Sequence, residues 1–294
     1  MIVVTTPTGA IGRQVVRNLL DRDERVRVVV RDPGKLSDDV RERVEVVPGS
    51  HGDLDVVTRA FDGADAVFWL VPPDPRAESI EAAYVDFSRP AYEAIKTQGV
   101  GRVVGVSSIG RGTPVVGNAG HVTASIAMDD LLASTGVPYR SLANATFMDN
   151  LLRQVASIRD QGVFYDIIAG DTKAPTCATR DIAAVATGLL TDPTWSGYDS
   201  VPVLGPEDLS QDDLARTMSE VLGKPVRYQR IPAADLKAMM IGRGTSEAVA
   251  QAMIDMMTAK DNGLDLGEPD ADRRGTPTTF RQWCEEVLKP AVES

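Results

Sequence analysis

The chain has 294 residues, 43% of them hydrophobic, and a formal net charge of −11. That is enough apolar material for one large α/β domain and a smaller lobe, and the acidic balance, with no basic stripe to offset it, argues against nucleic acid or an anionic membrane as a partner. No apolar run reaches the roughly 20 residues of a membrane span, and two distant cysteines and two histidines without ligand spacing leave no expected metal site. A small-molecule partner is expected. With a strand at the start and no basic leader before it, so is a cytoplasmic location, the chain acting as monomer or homodimer.

Met1 to Thr5 is a β-branched apolar run, the pattern of a strand buried on both faces. The turn Thr6-Pro7-Thr8-Gly9-Ala10-Ile11-Gly12 follows, and Arg13 to Leu20 then carries Val15, Val16, Leu19 and Leu20 at helical spacing. Strand, glycine turn and helix in that order form the first unit of a dinucleotide-binding fold, whose helix N-terminal amides face a pyrophosphate. Thr6, Thr8, Gly9, Ala10, Ile11 and Gly12 are therefore the expected cofactor turn. Gly9 and Gly12 fit the second and third glycines of the usual G-x-x-G-x-x-G spacing, and Thr6 stands where the first belongs. A β-branched residue resists φ > 0, so the turn is either shaped differently or gives the Thr6 hydroxyl to the cofactor.

Further strands are predicted at Arg25–Val30, Val44–Val47, Ala66–Val71, Arg102–Ser107 and Tyr139–Leu142, with helices at Leu54–Phe61, Glu78–Gln98 and His121–Ser134. This alternation predicts an α/β fold with a doubly wound parallel sheet and ligands at the carboxyl ends of its strands. Beyond it the pattern loosens. Helices are expected at Phe147–Asp160, Asp181–Leu190 and Gln211–Leu222, a strand at Ser200–Leu204, and a Met-rich, mostly helical last third. The expected division is a Rossmann domain over residues 1–145 and a smaller, mainly helical substrate lobe over 146–294, partly interleaved with the last elements of the sheet. The second strand ends in Arg31, with Lys35 four residues on, and a basic end there accommodates a 2′-phosphate. NADP(H) is the expected cofactor, although Asp32, one residue late, keeps a ribose-binding acid open.

The Thr6–Gly12 turn, Val29-Val30-Arg31, Ala64-Asp65-Ala66-Val67-Phe68 and Ser107-Ser108 resemble the NmrA-like group of atypical short-chain dehydrogenases. So do Ser134-Thr135-Gly136-Val137-Pro138-Tyr139, Phe147-Met148-Asp149-Asn150, Arg180-Asp181-Ile182-Ala183, Gly205-Pro206-Glu207 and Thr278-Thr279-Phe280-Arg281-Gln282-Trp283. The resemblance covers nearly the whole chain and rests on the order of these pieces. It implies an NADP(H)-binding domain and a C-terminal substrate lobe, in a family of quinone reductases, enone reductases and redox sensors that bind the dinucleotide without turnover. It implies too that Leu70, Val71 and Pro72 bring backbone to the cofactor, that Ser50 stands in place of an adenine-facing Asp, and that Phe147 and Asn150 face the substrate, with Ser108 beside them.

Ordinary short-chain dehydrogenases follow a Ser at the end of the fifth strand with a Tyr-x-x-x-Lys pair that handles the proton. Here Tyr92 and Lys96 have that spacing but precede Ser107, on a helix expected at the flank of the sheet. Where the pair belongs the chain reads His121-Val122-Thr123-Ala124-Ser125. His121, with Ser107, is thus the catalytic candidate, because imidazole moves a proton at low cost near pH 7, although a helix-capping role is equally open. Ala143-Asn144 replaces an Arg-Pro usual in the family, and Met239, Met240, Met253, Met256 and Met257 either fill a core or line an adaptable pocket. The expected activity is hydride transfer from NADPH to an apolar quinone, enone or aromatic ketone, which needs less proton machinery than simple carbonyl reduction. A sensor that binds NADP(H) and a protein partner is the alternative.

Overall fold

A computed structural model describes residues 1–268 and 271–294. In chain order the first half comprises β1 (Ile2–Thr5), α1 (Gly12–Leu20), β2 (Val26–Val30), α2 (Asp38–Arg41), β3 (Glu45–Pro48), α3 (Leu54–Phe61), β4 (Ala66–Trp69), α4 (Phe87–Gln98), β5 (Val103–Ser108), α5 (His121–Ala133) and β6 (Tyr139–Asn144). The second half adds β7 (Thr146–Phe147), α6 (Val155–Gln161), β8 (Val163–Asp166), β9 (Ala174–Cys177), α7 (Thr179–Thr191), β10 (Tyr198–Val203), β11 (Asp208–Leu209), α8 (Gln211–Leu222), β12 (Arg227–Arg230), α9 (Ala233–Gly242), α10 (Glu247–Asp261), α11 (Phe280–Trp283) and α12 (Lys289–Glu293).

Seven parallel strands form the central sheet in the order β10-β6-β5-β4-β1-β2-β3. The order reverses between β1 and β4, which opens a crevice at their carboxyl ends. Because both faces are covered, the central strands read as continuous apolar runs. One face packs Ile2, Val4 and Val28 against Val15, Val16 and Leu19 of α1 and Ile182 and Ala186 of α7. The other packs Val3, Val67 and Val103 against Val57 and Phe61 of α3, Ala91 and Ile95 of α4, and Met128 and Leu132 of α5.

The lobe has its own core, in which Phe164, Met218, Phe280, Trp283 and Leu288 are buried together. Five short strands form two small sheets there, β11-β9-β7 and β12-β8, beside the helices. β10 and α7 belong to the central sheet and its cover although they follow residue 145.

Two expected helices are shaped differently. The one beginning near Glu78 opens as a widened π turn, Ala82–Asp86, before α4. Pro90 lies inside α4 and has no N–H to give the carbonyl four residues back, so regular α pairing is interrupted at that point. The helix expected at Phe147–Asp160 is regular only over α6, since Thr146 and Phe147 pair with Thr176 and Cys177 of β9 and Met148–Gln154 winds more tightly as a 3₁₀ segment.

The Arg180-Asp181 motif on α7 and the C-terminal Thr278-Thr279 motif meet. Asp181 on α7 accepts hydrogen bonds from the Thr278 amide at 3.0 Å and its hydroxyl at 2.8 Å, all buried, and so fastens the C-terminal segment to the sheet. Asp181→Ala strands both donors, and urea unfolding should show a loss of about 2 to 3 kcal/mol. A loss below about 0.5 kcal/mol would mean that the segment is held by its apolar contacts alone.

Candidate active site

The glycine turn keeps the shape of a three-glycine turn without its first glycine. Thr6 has φ of 53°, the left-handed region, and its carbonyl accepts the Gly9 amide at 3.0 Å. The turn is therefore not reshaped; the β-branched residue takes the strained conformation, at a cost of about 1 to 3 kcal/mol. A Cβ at Gly12 would lie 2.1 Å from that same carbonyl oxygen, so α1 approaches the turn only because position 12 has none. No side chain caps the start of α1. Its N-terminal amides face outward where an anion is favoured. The hydroxyls of Thr6 and Ser107 are buried with no partner at hydrogen-bond geometry, although Ser107 lies close enough to the Asp129 carboxylate to lower its pKa. An uncapped helix start, a turn without Cβ at position 12 and orphaned hydroxyls at the ends of β1 and β5 fit a dinucleotide diphosphate and its flanking groups.

Arg31 follows β2, exposed and, among the described residues, without an ion-pair partner. Lys35 is exposed one turn on. Asp32 spends a carboxylate oxygen on the Gly34 amide at 3.0 Å, which caps the short turn Pro33–Lys35.

The backbone after β4 is pinned from two sides. The Thr5 hydroxyl donates to the Phe68 carbonyl and accepts the Leu70 amide, each at 3.0 Å. His51 Nε2 bonds the Leu70 carbonyl at 3.1 Å, and its ring meets Trp69 and Phe87 edge-on. His51 does not cap α3; Asp53 does. Val71 is buried and Pro72 exposed, and Ser50 accepts the Gly52 amide.

Ser107 and Ser108 end β5 beside Ala143 and Asn144 of β6. Asn144 donates through Nδ2 to the Ser107 carbonyl at 3.0 Å and the Leu142 carbonyl at 2.8 Å, tying the two strand ends together. His121 opens α5 but caps nothing; the cap position is Gly120. Its Nδ1 lies 3.2 Å from the Tyr84 hydroxyl, which the π turn carries inward, while its Nε2 is buried without a partner. Burial lowers the His121 pKa, with the Val249 backbone carbonyl of α10 opposing the shift, and raises that of Tyr84. The phenol keeps its proton and has no other acceptor than Nδ1 among the described residues, so in neutral His121 the ring proton is on Nε2. α10 passes over this helix start: a Cβ on Gly120, whose φ is 50°, would lie 1.9 Å from the Ala252 carbonyl.

Deeper in α5, fully buried Asp129 accepts from the Tyr139 and Ser141 hydroxyls, each at 2.6 Å. Burial pushes its pKa up. Gly105 makes room for the network, since a Cβ there would lie 1.9 Å from the Tyr139 oxygen. Tyr92 and Lys96 lie on α4, with the Lys96 ammonium 5.0 Å from the centre of the Tyr92 ring.

Phe147 and Asn150 line one cavity of about 110 Å³ in the lobe, with Phe164, Tyr165, Thr176 and Phe280 among its other walls. Asn150 caps no helix. A larger space of about 310 Å³, between Arg230, Ile231 and Asp261, contains none of the expected site residues. Met257 borders both. None of the five clustered methionines is fully buried and Met239 is 44% exposed, but Met256 packs on the core of Ala119, Val122, Ala259 and Leu264, so the cluster is divided between core and cavity border. Sequence reading missed Tyr84, Asp129, Asp166 and Thr176. Only Asp129 left a trace, as an acid inside the apolar stretch of α5.

The description NAD(P)H-binding belongs to the family model that matches residues 7–193. The chain belongs to that family of NAD(P)H-binding proteins. An NAD(P)H azoreductase from Xenophilus azovorans is 32% identical over 253 residues, covering 86% of this chain and 85% of its own length. A (4-alkanoyl-5-oxo-2,5-dihydrofuran-3-yl)methyl phosphate reductase from Streptomyces griseus is 33% identical over 235 residues, covering 79% and 77%. Among solved structures, the NADPH-dependent quinone oxidoreductase of Escherichia coli in complex with NADPH superposes with a TM-score of 0.78 at 23% identity, covering 100% of this chain and 99% of that one, and shows the shared fold. These relatives agree with the NmrA-like resemblance. No helix among the described residues is long and apolar enough to cross a membrane, and no three metal-binding side chains gather among them.

His51 provides a pH test of the packing behind the loop after β4. Burial lowers its pKa from 6.5 to about 4, so below pH 6.5 the unfolded chain takes up a proton that the native ring refuses. Stability should fall by about 2 to 3 kcal/mol between pH 7 and pH 4.5. In His51→Asn this part of the slope should disappear from urea unfolding curves. An unchanged slope would place the proton uptake elsewhere.

Proposed function

We propose that the protein is an NADPH-dependent reductase of a conjugated, largely apolar acceptor of the quinone, enone or aromatic ketone class. The observation that carries this reading is a continuity in the chain. β6 ends at Asn144 beside Ser107, and the next strand, β7, forms a wall of the cavity lined by Phe147 and Asn150. The chain leaves the carboxyl end of the sheet, where a nicotinamide would lie, and within three residues lines an aromatic-walled space, although Ser107, Ser108 and His121 are not among its walls. The relatives named above support it: an azo bond, a quinone and an oxo-dihydrofuran ring are all conjugated acceptors.

In this reading the amides of Ala10, Ile11 and Gly12, with the Thr6 and Thr8 side chains, hold the diphosphate. Arg31 and Lys35 take the 2′-phosphate, free to do so because Asp32 is engaged with its own turn. The loop of Leu70, Val71 and Pro72 borders the cofactor, and Ser107 ends β5 at the nicotinamide end, above the Asp129 carboxylate. When bound, the reduced nicotinamide supplies the hydride. His121, neutral at pH 7, offers Nε2–H to the oxygen on which charge develops, as a hydrogen-bond donor; solvent delivers the proton to the stabilised enolate or hydroquinone. Tyr84 holds the ring in that tautomer. Ser108 stands at the strand end beside this oxygen.

NADPH consumption should be followed at 340 nm with a panel of quinones and enones, using wild type, Arg31→Ala and His121→Asn. Wild type should turn over at least one of them and prefer NADPH to NADH. Arg31→Ala should lose most of that preference. His121→Asn should keep NADPH affinity within a few-fold while kcat falls by about 10²-fold. Tight NADPH binding without turnover across the panel would replace the reductase by a dinucleotide sensor, and unchanged kcat in His121→Asn would remove this histidine from the chemistry.

A further inference from the structure

Within the cavity that holds Phe147 and Asn150, the charged groups do not balance. Lys260 and Asp265 neutralise each other: the ammonium donates to both carboxylate oxygens at 2.7 Å, and the two side chains are only 10% and 3% exposed. Asp261, behind them, is paired with Arg230 at 2.9 Å and also accepts the Ala169 amide and the Thr172 hydroxyl. Asp166, at the end of β8, lines the cavity and accepts the Ile167 amide at 2.6 Å. It has no basic residue at ion-pair distance among the described residues. One negative charge is left over in a wall otherwise built from apolar, aromatic and uncharged polar groups, a costly arrangement unless something positive completes it.

A second observation points into the same space. Thr176, on β9, is 93% buried by its 7% exposure, borders this cavity, and its hydroxyl oxygen has no hydrogen-bond partner. An unsatisfied hydroxyl and an unpaired carboxylate thus face one cavity whose volume, about 110 Å³, is of the order that holds a single benzene-sized ring. The rings of Phe147, Phe164 and Phe280 supply faces that attract a cation as well as an aryl group.

We propose that this end of the cavity recognises a protonated amine carried on an aromatic ring, with Asp166 as its counter-ion and the Thr176 hydroxyl as its second acceptor. The proposal rests on the reading of this cavity as the substrate site and narrows the substrate class to acceptors bearing a basic nitrogen. The amine would donate to Asp166 and Thr176 through short charge-assisted bonds, while its ring lies against the phenylalanines. Burial raises the Asp166 pKa to about 6, with the Ile167 and Ile168 amides and Lys260 opposing and Asp261 reinforcing that shift; Arg230, its register partner on β12, is engaged with Asp261, and Asp212 and Tyr228 lie near the same strand pair. The site should therefore be charged at pH 8 and lose its charge toward pH 5.

The probes are benzylammonium and its neutral analogue benzyl alcohol, titrated calorimetrically into the full chain. At pH 8 benzylammonium should bind more tightly, and Asp166→Asn should weaken it by about ten- to a hundredfold while changing benzyl alcohol by no more than about twofold. From pH 8 to pH 5 wild type should lose about tenfold in affinity for benzylammonium, and Asp166→Asn should lose none of it. Thr176→Val keeps the branched shape without the acceptor and should weaken the amine about three- to tenfold, with Thr176→Ser restoring it; this holds the test open if Asp166→Asn does not fold. Equal affinities for the two probes, or no binding of benzylammonium, overturn the proposal. Quinone turnover that persists without amine binding overturns it while leaving the reductase reading intact. Asp166-dependent amine binding in a chain that consumes no NADPH supports the cation site and overturns the reductase reading alone.

Discussion

The approach of Gly12 to the Thr6 carbonyl governs the architecture. With no Cβ between them, α1 begins directly over the end of β1, its amides open toward the crevice and Val15, Val16 and Leu19 pressed onto the sheet. Any larger residue at position 12 would drive the helix away from the strand. The contact also explains why Thr6 keeps φ of 53°. The carbonyl must turn to accept the Gly9 amide, and the apolar packing behind the turn outweighs the few kcal/mol of strain at one residue.

From this turn the functional groups follow by strand register. Parallel pairing places the ends of β1, β4, β5 and β6 side by side, and each carries a polar group that fixes its neighbour: Thr5 the loop after β4, Asn144 the end of β5. Buried polar groups beneath this edge are satisfied in pairs and triads, as around Asp129 and His51. Among the buried polar groups without partners, Thr6 and Ser107 lie at strand ends, His121 opens α5 and Thr176 borders the lobe cavity, while Arg102, Arg180 and Trp283 lie elsewhere. Incomplete hydrogen bonding is costly, so the orphaned groups at the strand ends and at the cavity are those a ligand would complete.

The sheet was legible because its strands are buried on both faces. Runs such as Val28-Val29-Val30 have no alternative to a central parallel strand. The small lobe sheets were not legible: Arg227-Tyr228-Gln229-Arg230 is polar, four residues long, and a strand only because β8 lies alongside it. The same contrast runs through the site. Gly9, Gly12 and Arg31 could be named because local geometry limits what those positions do. Tyr84 sits 37 residues from His121, and only the packing of the π turn against α5 brings them together. Asp166 and Thr176 likewise come to border one cavity only through tertiary packing. The methionines of α9 and α10 fit a core by spacing, yet those helices lie at the border of the lobe, where their side chains remain half open.

A central claim joins these parts: a dinucleotide held by the Thr6–Gly12 turn passes a hydride to a carbon of a substrate in the lobe cavity. Reduction of an enone with NADPH carrying deuterium at the transferring C4 position tests it most directly, because hydride delivered to the β-carbon does not exchange with water. Mass spectrometry and NMR of the product should find one deuterium on that carbon, and none when unlabelled NADPH is used in heavy water. Product whose β-carbon takes its hydrogen from solvent, or no product from an enzyme that demonstrably binds NADPH, would contradict the account.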